Sequence, residues 1–164
     1  MIVGMPNPLV ACEAAFGCLL FSIVATMAVV DFREMILPNR LNFLLAVSGV
    51  GHAVILGKPS FLDALLGAFV GFAVLWIVAA LFRHYRGIDG LGFGDQKFSA
   101  AAGLWIGWQE SAHMFLIASC SALAFVAVRF AKQRKFDVVG RIPFGPFLGL
   151  GVVACWLLMI AFGS

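Results

Sequence analysis

Residues 61–82 read FLDALLGAFVGFAVLWIVAALF, a run of 22 residues whose only charge is Asp63. About 20 consecutive apolar residues make a helix long enough to cross a hydrocarbon core about 30 Å thick. Five further apolar segments accompany this one: Leu9–Val30, Leu41–Leu56, Phe98–Trp108, Ser111–Phe130 and Phe147–Phe162. Leu41–Leu56 is short, and Phe98–Trp108 spans only if it extends at both ends, over Asp95 to Gln109, or if local thinning absorbs the mismatch. The pattern predicts an all-α polytopic membrane protein, a six-transmembrane-helix bundle forming one integral membrane domain over residues 1–164.

The composition agrees. The chain is 63% hydrophobic and only 12% charged, with a mean hydropathy of +1.05. A soluble domain carries about 25% charged residues. The net charge of +3 comes from clustered loops rather than one basic face, which argues against nucleic acid as a partner and makes the lipid bilayer the expected surroundings. Cys12, Cys18, Cys120 and Cys155 stand in apolar contexts with no C-x-x-C pair, so neither a zinc ribbon nor a disulfide framework is indicated. All four are expected to be buried small hydrophobes. Residues 1–10 hold no lysine or arginine, so the positive region of a cleavable signal is missing and Leu9–Val30 is expected to remain as a membrane helix.

Basic residues set the orientation. With six spans, the first, third and fifth loops share a side and hold ten of the eleven lysines and arginines; only Lys58 lies opposite. Those three loops are expected to be cytoplasmic and both termini outside. Gly67-x-x-x-Gly71, Gly103-x-x-x-Gly107 and Gly145-x-x-x-Gly149 put small residues on one helix face, which lets helices approach closely in lipid.

Charged groups at membrane depth are costly and usually functional. Asp31 closes the first apolar run in Val29-Val30-Asp31-Phe32-Arg33, ahead of Ile36-Leu37-Pro38-Asn39, and Asp95 closes Gly92-Phe93-Gly94-Asp95 at the mouth of the fourth segment. The topology places both at the cytoplasmic boundary. Two carboxyls suit peptide hydrolysis: one, ionised, takes a proton from the attacking water while its protonated partner polarises the scissile carbonyl. Held close, they cannot both ionise readily, so sharing one proton supplies acid and base together. Gly92 and Gly94 would let backbone approach a substrate. An interfacial aspartate also commonly caps a helix or stays solvated, and an acid pair can bind cations or relay protons in a channel or transporter. Among the other polar residues, Asp89 reads as a turn residue, Glu34 as solvated, Lys97 as reaching toward lipid headgroups, His84 as an interfacial anchor among Arg83, Tyr85 and Arg86, and His52 and His113 as remote from both acids, with no metal-ligand spacing.

Gly92-Phe93-Gly94-Asp95 matches the G-x-G-D signature of membrane aspartic proteases, and its continuation to Gly107 resembles the corresponding stretch of type IV prepilin peptidases. Asp31 with Leu37-Pro38-Asn39 resembles their first catalytic aspartate and the proline-asparagine after it. Ile142-Pro143-Phe144-Gly145-Pro146-Phe147 resembles the motif before their last helix. The resemblance implies an aspartic endopeptidase of the bacterial inner membrane that removes the leader from prepilin or pseudopilin precursors at the cytoplasmic face. It implies Asp31 and Asp95 as the catalytic pair, no metal and no cofactor. Gly92, Gly94, Lys97, Pro38, Asn39, Pro143, Gly145 and Pro146 would bind substrate or support the site, with Pro143–Pro146 a wall of the substrate cleft. With no C-x-x-C pair, the chain looks like the short, peptidase-only branch of tight-adherence (Flp) pili, without methyl transfer; an inactive pilus-assembly scaffold would carry the same motifs. Oligomeric state is not indicated.

Overall fold

In lipid no water is at hand for backbone N–H and C=O groups, so apolar runs must close their hydrogen bonds within themselves, as helices do. The computed structural model describes residues 8–88, 90–133 and 143–162, and the described residues are helical throughout apart from short connections. In chain order the helices are α1 (Pro8–Glu34), α2 (Asn39–Leu56), α3 (Phe61–Arg86), α4 (Phe93–Gln133) and α5 (Gly145–Phe162). All five are long and apolar enough to cross a membrane. The all-α expectation holds. Asp89, Asp137 and Ile142 lie outside the described residues.

Helix boundaries differ from the apolar runs in an instructive way. α1 continues past Val30 to Glu34, and α3 past Phe82 to Arg86, each carrying its basic residues in the last turn. Cations there complement the negative end of the helix dipole. The fourth and fifth apolar segments, expected as separate helices, form one 41-residue element, α4. Inside it Gly107 leaves helical geometry, at φ 75° and ψ 176°. Only glycine takes such a φ without a Cβ clash, so the chain turns there with no intervening coil.

Contacts trace the two arms of α4. The arm before Gly107 lies along α3: Ser99 Oγ donates to the Gly71 carbonyl at 2.9 Å, and Gly103 meets the Gly67 backbone. At its far end Asp63, in the first turn of α3, accepts from Trp108 Nε1 at 3.0 Å and Gln109 Nε2 at 3.2 Å. The arm after Gly107 lies along α5. Cys155 Sγ reaches the Glu110 carbonyl at 3.8 Å, Gly151 packs on Met114, and the Phe125 and Phe147 rings sit 5.6 Å apart. Thus the second arm follows α5 back toward that helix's N-terminus.

The glycine faces therefore pack as expected. Gly67 and Gly71 meet Ser99, Gly103 and Gly107, while Gly149 meets Val24 of α1. The interior holds Leu20, Met27, Leu45, Phe98, Trp105, Met114 and Leu148. Trp105 Nε1 donates to the Leu45 carbonyl at 2.9 Å and stacks on buried His52, whose Nε2 faces Trp156 Nε1 at 3.3 Å. The outside is as apolar as the inside: Phe43, Leu62, Phe69 and Leu123 are each at least 70% exposed. Such a surface is stable against lipid and not against water. For the same reason the cysteine expectation fails in part. Cys155 is buried, but Cys12, Cys18 and Cys120 face outward, because in lipid an apolar side chain gains little by turning inward.

At position 103 a Cβ would overlap the Gly67 backbone and come within 2.7 Å of the Ala68 nitrogen. Backbone cannot swing aside as a side chain can, so Gly103→Val is expected to lower stability by about 1–3 kcal/mol or more. Thermal unfolding in detergent measures this, and an unchanged midpoint would refute the close α3–α4 approach.

Candidate active site

Asp31 lies in the last turn of α1, where its carbonyl accepts the Met35 N–H at 2.9 Å. Met35 then takes a left-handed φ of 53°, which ends the helix and turns the chain inward. Leu37, 8% exposed, enters the core. Pro38 follows in extended geometry, and its carbonyl accepts the N–H groups of Leu41 and Asn42 as α2 begins at Asn39. Proline suits this place because a helix start leaves N–H groups unpaired anyway.

The Asp31 carboxyl is 5% exposed and points to the start of α5. Its Oδ2 accepts the Gly145 N–H at 3.0 Å. Gly145 is the first residue of α5, so this N–H has no partner within the helix. Next in line, Pro146 has no N–H to offer, and Phe144 supplies the carbonyl that accepts from Phe147 and Leu148 at 3.1 Å. An anion-accepting helix start is thereby aimed at Asp31. Pro143–Pro146 was expected to wall a substrate cleft; within that stretch Gly145 touches the acid itself. A Cβ there would lie 2.7 Å from Asp31 Oδ2 and 3.1 Å from Leu37 Cδ2.

Asp95 is the third residue of α4. Its backbone N–H donates to the Gly92 carbonyl at 3.2 Å, and its carboxyl lies back over Gly92. Gly92 fits because its Cβ would come within 3.2 Å of Asp95 Oδ2, and Gly94 because its Cβ would come within 3.0 Å of Leu37 Cβ. The Asp95 carboxyl is half-buried and lies within electrostatic reach of Asp31. Two acids 64 positions apart thus share one junction, wedged by Leu37 between Gly94 and Gly145.

Lys97 departs from the expectation that it reaches for headgroups. Its Nζ donates to Asn39 Oδ1 at 2.8 Å and sits 4.8 Å from the centre of the Phe93 ring. The bond joins the first turn of α2 to the start of α4. Two participants were not read from the sequence. Leu37 was quoted only as part of Leu37-Pro38-Asn39, although a single apolar residue between an acid and a proline-asparagine pair was the available signal. Gln96, buried beside Asp95 with no partner for Oε1 among the described residues, gave none. Glu34 is exposed, and His52 and His113 lie away from the acids; His113 pairs with Glu110 at 2.9 Å. No cluster of metal-ligating side chains occurs among the described residues.

A helical membrane-type bundle that gathers two acids at the ends of separate helices defines a class, and sequence comparison narrows it. The profile of the Type IV leader peptidase family matches residues 18–127, and the chain belongs to that family. It is 36% identical over 165 aligned positions to a prepilin leader peptidase/N-methyltransferase of Escherichia coli K12, covering 88% of this chain and 70% of that protein. It is 34% identical to the protein of that name from Pectobacterium carotovorum subsp. carotovorum, covering 85% of this chain and 50% of the relative. The corresponding protein of Xanthomonas campestris pv. campestris is 38% identical, with 86% and 50% covered. The chain therefore spans between half and about two thirds of the length of these relatives. No solved structure matches the chain.

Gly145→Ala should push Asp31 or Leu37 out of place, since the nearest atoms belong to short, packed side chains. A loss of about 1–3 kcal/mol in thermal stability is expected. An unshifted unfolding midpoint would show that α5 does not rest on Asp31.

Proposed function

We propose that this chain is a membrane aspartic endopeptidase that removes the leader from prepilin-like precursors, with Asp31 and Asp95 as its catalytic pair. The observation that carries the reading is the convergence of those two carboxyls, from the end of α1 and the start of α4, at one junction. In this reading the ionised member takes a proton from the attacking water, and the protonated member donates to the carbonyl oxygen of the scissile peptide. The pair shares a single proton because two adjacent negative charges repel. The Gly145 N–H orients Asp31. Lys97 and Asn39 hold the two helix starts at a fixed separation. Family membership supports the peptidase, and the names of the relatives support the prepilin substrate. The position of both acids at helix ends speaks against a transporter, whose sites lie near the midplane.

The same proposal has six crossings, with the two arms of α4 as the fourth and fifth. Support comes from α4's length: 41 residues would run about 60 Å if straight, twice a hydrocarbon core. The break at Gly107 and the antiparallel contacts of the arms point the same way. Arg33 and Lys97 belong to the helix ends that carry the acids, and Arg83 and Arg86 to the end of α3 that leads into the start of α4, while Lys58 follows the other end of α2. A bacterial inner-membrane protein with a cytoplasmic active site follows from the positive-inside rule.

Asp31→Asn and Asp95→Asn should each reduce cleavage of a prepilin in membranes below about one hundredth of the wild-type rate, with insertion and accumulation unchanged. Near-normal leader loss by either variant would remove the pair. For orientation, all four native cysteines are replaced and single cysteines introduced at Ser60 or Asp137. An impermeant thiol reagent added to the periplasm should label the first and spare the second; the reverse pattern would invert the topology.

A further inference from the structure

At the end of the bundle away from the two acids, a small cavity of about 40 Å³ lies between the start of α1 and the ends of α2 and α5. Its lining is Glu13, His52, Lys58, Trp156, Met159 and Ile160. Glu13 stands 18 positions before Asp31 on α1, about 27 Å along the helix, so the cavity is remote from both acids. Helices that cross a bilayer end near its surfaces, which puts the cavity where headgroups meet hydrocarbon.

Glu13 is the single charge between Pro8 and Val30, and a charge set into an apolar helix is costly and usually functional. Its side chain is partly buried and meets no partner among the described residues. His52 offers it no donor: Nε2 accepts from Trp156 Nε1 at 3.3 Å, the ring stacks on Trp105, and Nδ1 is enclosed in the bundle. Lys58, exposed at the rim, forms no ion pair with it. One cavity therefore has a carboxylate in its wall and an ammonium at its edge, the complement of a zwitterion. Size narrows the choice. At about 10–15 Å³ for each water-sized group, roughly three fit. A primary ammonium enters such a space and brings three N–H donors to the carboxylate. A trimethylammonium is several times bulkier and has no N–H. Beside the cavity Ile160, 44% exposed, gives an acyl chain an apolar surface to follow.

We propose that this cavity binds the headgroup of an ethanolamine phospholipid. The ammonium donates to Glu13, the phosphate lies toward Lys58, and an acyl chain runs along Ile160. A lipid held in this way bridges α1, α2 and α5 at the end of the bundle opposite the acids, and so stabilises the fold. The inference does not depend on the peptidase reading, because none of the lining residues belongs to the paired acid site.

The test follows thermal unfolding of the full chain in detergent micelles mixed with phosphatidylethanolamine, phosphatidylcholine or phosphatidylglycerol of the same acyl composition. Phosphatidylethanolamine should raise the midpoint by about 3 °C or more above the other two, and Glu13→Gln should abolish that difference. An equal rise with phosphatidylcholine would show that acyl contact suffices, and an equal rise with phosphatidylglycerol that the phosphate suffices; either overturns the site. So does a Glu13→Gln protein that still prefers phosphatidylethanolamine. Soluble phosphoethanolamine is added in a fourth arm. A full rise with it alone would assign the cavity to a free amine and overturn the lipid. If Glu13→Gln fails to accumulate, the wild-type protein decides by itself, through its discrimination between the ethanolamine and choline headgroups.

Discussion

Backbone against backbone, at Gly67 with Gly103 and at Gly71 with Ser99, α3 and the first arm of α4 meet more closely than side chains would permit. Helices in lipid gain nothing from hiding apolar surface from one another, so they associate by van der Waals contact and by bonds across the seam. The Ser99 hydroxyl supplies one of these bonds, to the Gly71 carbonyl. Asp63 supplies another pair at the opposite end, to Trp108 and Gln109. Fixed at both ends, the first arm cannot slide along α3. Asp95, three residues into that arm, is held at one height relative to the rest of the bundle. The Gly107 turn depends on the same seam, because the Gly67 face abuts it. A bulkier residue at 67 or 103 would thus disturb the height of Asp95 and the return of the second arm together.

A second constraint acts at the acids. An aspartate buried at the edge of a membrane needs donors, and α1 has none to give, because its last turn presents carbonyls. The donor comes from the start of a different helix, α5, whose first N–H is unspent. Gly145 must be glycine for the approach, and Pro146 gives up no hydrogen bond by lacking an N–H. The motif Pro143-Phe144-Gly145-Pro146 is thus explained by what it touches. Its resemblance to a family pattern located it, but the contact with Asp31, 114 positions earlier, could not be read from spacing.

What was legible in the sequence divides along similar lines. Apolar runs identified every helix, because length and hydropathy are local properties. The small-residue faces were legible too, since four-residue spacing puts two glycines on one side, but not which helix each face would meet. Helix ends were not, because Arg33, Glu34, Arg83 and Arg86 continue their helices past the hydrophobic runs. Charge stops a hydropathy run without stopping hydrogen bonding. The join at Gly107 was hidden for a different reason: a positive φ at one glycine looks in sequence like any other glycine of a small-residue face. Burial was the least legible property. In a soluble domain an apolar cysteine is expected inside, but with lipid as solvent Cys12, Cys18 and Cys120 point out as readily as Cys155 points in.

Lys97 shows how these levels combine. Read by position, a lysine near a membrane boundary extends its stem and leaves its ammonium in the headgroup region. In the fold, α2 begins where Pro38 interrupts the chain, so Asn39 comes to face the start of α4, and its side-chain oxygen accepts from the ammonium at 2.8 Å. A charge-assisted bond of this kind is stronger than a neutral one, and it joins the loop that carries Leu37 to the helix that carries Asp95. Leu37 in turn touches Gly94 and Gly145. The separation of the two acids is therefore set by one apolar wedge, two glycines and one lysine whose ammonium is held by Asn39. Aspartates alone would mark many membrane helix ends. It is the supporting set, brought from α1, α2, α4 and α5 to a single junction, that distinguishes a paired acid site from two solvated helix termini.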